Sequence, residues 1–167
     1  MSFTQGQRPA TQQEVLEGFV ALLKAEFDDW DDDSIYWTDT ENSEASTNLS
    51  RFITVYAGGG KFDQGALVGG VYIEDAQIAV KIWHRSEIDN KGRSEESMFQ
   101  ADDGLMPIKR RVLKALVGKM LADGSNVQIA IETIKPQSSG EPMTSDGSNP
   151  LDSLAIAFAV SFEWDLS

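Results

Sequence analysis

The sequence predicts an α+β fold, with two helices packed on one face of a mostly antiparallel, mixed β-sheet. Three observations predict it. Apolar residues recur at helical spacing near the start of the chain and again after residue 105. The β-branched and aromatic segments come in runs, not in strict alternation with helices, which favours antiparallel pairing over a parallel βαβ sheet. Finally, residues 153–164 alternate apolar and small or polar side chains with a period of two, the signature of a strand that turns one face to a core. At 167 residues, one domain with one core is expected over 1–167.

Taken in order, residues 1–10 are expected to form a polar, flexible tail. Thr11-Gln12-Gln13-Glu14 then reads as a capping box, in which the threonine hydroxyl and the glutamate side chain each satisfy an unpaired amide at a helix start. Val15, Leu16, Phe19, Val20, Leu22, Leu23 and Phe27 give this first helix a broad apolar stripe, and it is expected to end near Asp28. Residues 28–50 form an acidic loop anchored by Trp30, Ile35, Tyr36 and Trp37, with a short strand around 35–38.

Strand-like sequence follows at 51–56 and 67–85, with a turn expected at Gly58-Gly59-Gly60 and a break into two strands near Glu74-Asp75. Within 78–83, Ile78, Val80 and Ile82 are the buried positions. Residues 86–103 read as a long polar arm. Asp102 or Asp103 is expected to cap the second helix, with Pro107 in its first turn and Gly124 at its end. Residues 127–135 read as a strand and 136–150 as a long loop dense in Ser, Gly and Pro. The last strand is expected to be central, with Leu154, Ile156, Phe158, Val160, Phe162 and Trp164 on one face.

Charge is the clearest functional signal. The formal net charge is -13, which argues against general affinity for nucleic acid or an anionic membrane. Nine of the 27 acids fall between Lys24 and Arg51 with no base among them, whereas 105–121 carries Lys109, Arg110, Arg111, Lys114 and Lys119 with no acid. This two-sidedness suits ordered contact with partners or copies. Arg110, Arg111 and Lys114 are therefore expected to form an interface against Asp31, Asp32 and Asp33 of the same or a neighbouring subunit.

No catalytic residue, cofactor or metal is predicted. Asp29, Asp31 and Asp33 have the first spacings of a calcium loop, but Ser34 stands where glycine belongs and Thr40 where a bidentate glutamate belongs. Gly58-Gly59-Gly60-Lys61 lacks the Ser or Thr and the following helix of a phosphate loop. His84 is the one histidine in the chain, with neither a second histidine for a metal nor a nucleophile-elbow serine nearby. With no cysteine, thiolate chemistry is excluded. The chain carries neither the apolar run of a membrane helix nor a signal peptide at its start, so a cytoplasmic site of folding is expected.

The ordered set of segments resembles a known family. It comprises the capped first helix, a strand ending at Val55-Tyr56, the strand 78–83, and a helix containing Ile108-Lys109-Arg110-Arg111-Val112-Leu113-Lys114-Ala115-Leu116. A strand leading into Ile134-Lys135-Pro136, a polar loop, and the last strand from Leu154 to Phe162 complete it. Over residues 11–166 this organisation is similar to that of the tail terminator, or tail completion, proteins of tailed bacteriophages. The resemblance implies a structural virion protein that forms a homo-oligomer ring, expected to be a hexamer. The ring would cap the tail tube protein, stop its polymerisation and offer a surface to the head-tail connector protein, while DNA passes through without specific binding. Other neck or connector components remain open as readings, as do a small acidic host-protein-binding or DNA-mimicking module and an acid-base hydrolase using His84.

Overall fold

The alternating C-terminal segment forms the centre of the sheet. In a computed structural model of the chain, which describes residues 12–39, 49–62, 71–85, 104–122, 128–144 and 151–165, it is the 15-residue strand β8, Leu151–Asp165. The remaining elements are helix α1 (Gln12–Glu26), a 3-10 turn (Asp32–Ser34), strands β1 (Ile35–Trp37), β2 (Arg51–Phe62) and β3 (Val71–Arg85), helix α2 (Leu105–Leu116), and strands β4 (Met120–Ala122), β5 (Gln128–Thr133), β6 (Lys135–Ser139) and β7 (Met143–Thr144). The sheet order is β1-β2-β3-β8-β5-β4, with β6 and β7 also paired to β8. All these pairs are antiparallel except β1 with β2, which makes the sheet mixed.

Strands β3 and β8 pair along their whole length, with Ile78 opposite Phe158, Val80 opposite Ile156 and Ile82 opposite Leu154. These residues, with Ile53, Val55 and Phe162, turn toward the helices and are buried. Phe19 of α1 meets Phe158 with ring centroids 6.1 Å apart. Each such large side chain stabilises by about 2 kcal/mol when removed from water. Helix α2 adds Leu105, Ile108, Val112, Ala115 and Leu116 to the same core. A side chain at Gly18 of α1 would lie 2.6 Å from Leu121 of β4, so the glycine permits the helix to sit against that strand.

The opposite face of the same strands is built differently. Tyr36, Phe52 and Trp83 stack across β1, β2 and β3, with centroids 6.3 and 5.6 Å apart and planes 10° from parallel in both pairs. Trp83 Nε1 donates to Thr54 Oγ1 at 2.9 Å, and Lys81 Nζ lies 4.2 Å from the Trp83 ring centroid. Thr54 and Lys81 are buried there, while further along the strands this face carries Ala79, Ala155, Ala157 and Ala159.

Several sequence expectations are corrected. The glycine triplet is not a turn: Gly58, Gly59 and Gly60 run inside β2, where the register slips between Ala57 and Gly60 to form a bulge. Segment 67–85 does not break at Glu74-Asp75. Both residues stay paired in β3, and the polar face is accommodated because Ser161 Oγ donates to Asp75 Oδ1 at 2.5 Å at an exposed end of the sheet. Helix α2 stops at Leu116, well before Gly124, because Gly118 takes φ 76° and exchanges backbone hydrogen bonds with the β5–β6 junction: Gly118 N–H to Ile134 O and Ile134 N–H to Lys119 O, both 2.9 Å. Its N-cap is Gly104, and Asp102, Asp103 and Gly124 lie outside the described residues.

The segment 127–135 is interrupted at buried Ile134, and the expected loop 136–150 is partly strand, since β6 and β7 run along β8. Strand β6 is exposed throughout, contains Pro136 and slips register between Pro136 and Ser138. The tail 1–10, Thr11 of the capping box and the arm 86–103 lie outside the described residues.

Candidate interaction surface

The charge clusters of the sequence meet where α1 ends. A helix leaves its last carbonyls without intrahelical donors, and basic side chains are suited to satisfy them. Arg111, from the middle of α2, does this for α1: its Nη2 donates to the Glu26 carbonyl at 2.9 Å. The same guanidinium grips Asp29 with two bonds, Nη2 to Oδ1 at 2.6 Å and Nη1 to Oδ2 at 3.3 Å. It also lies 4.2 Å over the Phe27 ring and 3.8 Å from Glu26 Oε1. Its planar fork matches a carboxylate in a way that lysine does not.

The electrostatics follow from this geometry. The Arg111 hydrogen bond holds the Asp29 carboxyl below its ordinary value, and the Asp29 bond raises Arg111 in return, with burial opposing in both cases. Lys114 Nζ adds a 3.7 Å ion pair to Glu26 Oε1, and Lys24 Nζ reaches Asp32 Oδ1 at 3.2 Å.

Of the six residues singled out from charge, Asp31, Asp32, Asp33, Arg110 and Lys114 are exposed. Arg111 is committed inside the subunit, to Asp29 and Glu26 and not to Asp31, Asp32 or Asp33. Reversing its charge therefore strikes contacts within the subunit, not an interface alone. The role of Glu26 and Asp29 was missed because sequence shows an acidic run but not which member falls beneath the helix that crosses it. A cue did exist: Asp29 sits three residues past Glu26, at the end of α1, where a basic partner is favoured.

Near Asp29 a small pocket of about 180 Å³ is lined by Asp29, Trp30, Asp31, Ser34, Leu49, Ser50 and Arg51. The Arg51 guanidinium lies 4.8 Å from the Trp30 ring centroid. This volume is well below that of ordinary small-molecule sites.

His84 sits at the end of β3 between Arg51 of β2 and Asp152 of β8. Its Nδ1 is buried and has no hydrogen-bond partner among the described residues. Burial lowers its pKa below 6.5, Arg51 lowers it further, and Asp152 opposes both. The imidazole is thus flanked by a cation on one side and a buried carboxylate on the other. No group of three or more His, Asp or Glu side chains among the described residues is placed to hold a metal. Among the described residues, no helix is long and apolar enough to cross a membrane.

The fold and this surface define a class: an α+β domain whose charged chemistry lies on the outside of its helix layer. Comparison with known protein families finds none whose model matches this chain, and comparison with curated proteins finds no match.

Proposed function

We propose that the chain is a structural virion subunit: a tail terminator that closes the tail tube of a tailed bacteriophage as a hexameric ring. The observation that carries this reading is the order and placement of elements. A first helix, a strand group, a second helix and a long last strand lie with both helices on one face of a mostly antiparallel sheet and with the last strand central. That is the arrangement expected from the resemblance. In this role the tail tube protein and the head-tail connector protein are the partners, the site of action is the neck of the virion, and no cofactor or chemical step is required. The formal charge of -13 supports passage of DNA without retention, because the ring wall repels phosphate.

The test is negative-stain microscopy of the purified protein, alone and with polymerising tail tube protein. Six-fold rings that end the tubes at a fixed length are expected. Tubes that elongate unchanged, with no ring at any concentration, overturn the reading; capture of a basic host protein in its place would favour the acidic binding module.

A further inference from the structure

Two patches of opposite sign lie side by side on the helix layer. Arg110, Lys114 and Val117 follow one another at spacings of four and three, so they line the outward side of α2 and its cap. Past Gly118, both Lys119 and Met120 are exposed as well. Val117 and Met120 are 40% and 37% exposed, two of the few large apolar side chains left open among the described residues. Beside the ridge stands the acidic turn after α1, with Asp28, Asp31, Asp32 and Asp33 all exposed. The pairs Arg111–Asp29 and Lys114–Glu26 hold that turn against the middle of α2.

The internal ion pairs use Arg111, Lys114 and Lys24. Arg110, Lys119, Asp31 and Asp33 have no ion pair among the described residues. A ridge of exposed bases interleaved with apolar side chains is suited to an acidic protein surface. Phosphate is disfavoured, because the acids beside the ridge and the charge of the whole chain repel it.

We infer that the helix layer is a docking surface for a second copy of this chain, in which the ridge of Arg110, Lys114, Val117 and Met120 receives the partner's acidic turn at Asp31 and Asp33. The adjacency of the two patches decides the symmetry. Neighbouring patches of opposite sign complement themselves under a two-fold rotation: both contacts form together and the assembly closes at two. A ring contact joins two different sides of the subunit, so this pairing is separate from the proposed ring and does not rest on it.

The experiment is sedimentation velocity on the full chain at about 50 mM and about 500 mM salt, with thermal melts as the control for folding. A dimer is expected at low salt, its dissociation constant rising about tenfold or more at high salt. Arg110→Glu and Asp33→Lys should each weaken it about tenfold without changing the melt, since neither residue has an ion pair among the described residues. An equimolar mixture of the two variants should pair again, because both contacts then join opposite charges. Val117→Ser should weaken pairing at either salt. Protein that stays monomeric throughout, or self-association that ignores both reversals, overturns the inference. So does binding to a DNA duplex that Arg110→Glu abolishes in a protein that does not pair. Six-fold rings made equally well by Arg110→Glu, with no salt-sensitive pair, would sink the pairing and leave the ring; a salt-sensitive pair that never caps a tube would do the reverse.

Discussion

The two faces of strands β2, β3 and β8 are made of alternate residues of the same segments, yet different interactions hold them. The helix-side face is Ile53, Val55, Ile78, Val80, Ile82, Leu154, Ile156 and Phe158, a contiguous apolar surface closed by α1 and α2. The other face holds a stacked row of Tyr36, Phe52 and Trp83, a hydrogen bond to Thr54 and a buried lysine over an indole. The first is stabilised by area removed from water, which any apolar residue of the right size supplies. The second depends on orientation, since ring stacking and a hydrogen bond tolerate little displacement. What the contrast teaches is that one sheet can carry a tolerant core and an exacting one back to back.

The largest test of that contrast is Phe158→Ala. Phe158 is fully buried at the middle of β8, and its truncation should lower the unfolding free energy by about 3–5 kcal/mol in urea titrations. Phe158→Leu, in contrast, should cost less than about 1.5 kcal/mol, and an equal loss from both would show the helix-side core to be as exacting as the other face. A smaller effect is expected of Trp83→Phe. The stack on Phe52 survives, but the Thr54 hydroxyl loses its donor, for a loss of about 1 kcal/mol. No measurable change would mean that the hydrogen bond adds nothing to this face.

The smallest effect lies at the ends of these strands, in the row Arg51, His84 and Asp152. The folded-state pKa of His84 is depressed below 6.5 by burial first and by Arg51 next. The unfolded chain therefore binds more protons in the window just below pH 6.5, and stability rises with pH across it. Stability that His84 contributes is fully present above pH 6.5 and declines as pH falls toward the folded-state value. Asp29, whose carboxyl is lowered from 3.8, adds a second decline only at lower pH. Unfolding curves between about pH 7.5 and about pH 5 should show the first slope, and His84→Asn should flatten it. A slope unchanged in that variant would place the titration elsewhere.

The helix-side core was legible from sequence because its pattern is contained within single strands: Ile78, Val80 and Ile82 announce their own face, as do Leu154, Ile156 and Phe158. The aromatic row was not, because it exists only once Phe52 is set opposite Trp83, and nothing in either segment specifies that register. The end of α2 was hidden for a related reason. Val117, Met120 and Leu121 continue the helical apolar spacing, and only the left-handed conformation of Gly118 and the bonds of Gly118 and Lys119 to Ile134 reveal that Leu121 belongs to a strand. For the charged surface, sequence distinguished acidic from basic stretches but not internal pairs from free ones. That division, Arg111 paired to Asp29 while Arg110 and Asp33 have no ion pair among the described residues, is set by how α1 and α2 cross.

The bulge in β2 and the proline in β6 have a consequence for life at high concentration. Chains with strands 15 residues long would ordinarily be dangerous neighbours, since a regular outer border invites another chain to zip onto it and grow a fibre. Here β2 is interrupted by the slip between Ala57 and Gly60, and β6 by Pro136, which has no N–H to offer, and the slip that follows it. Along these two strands a neighbouring copy finds no regular backbone ladder to extend. Recognition is left to side chains, where salt and single substitutions can tune it.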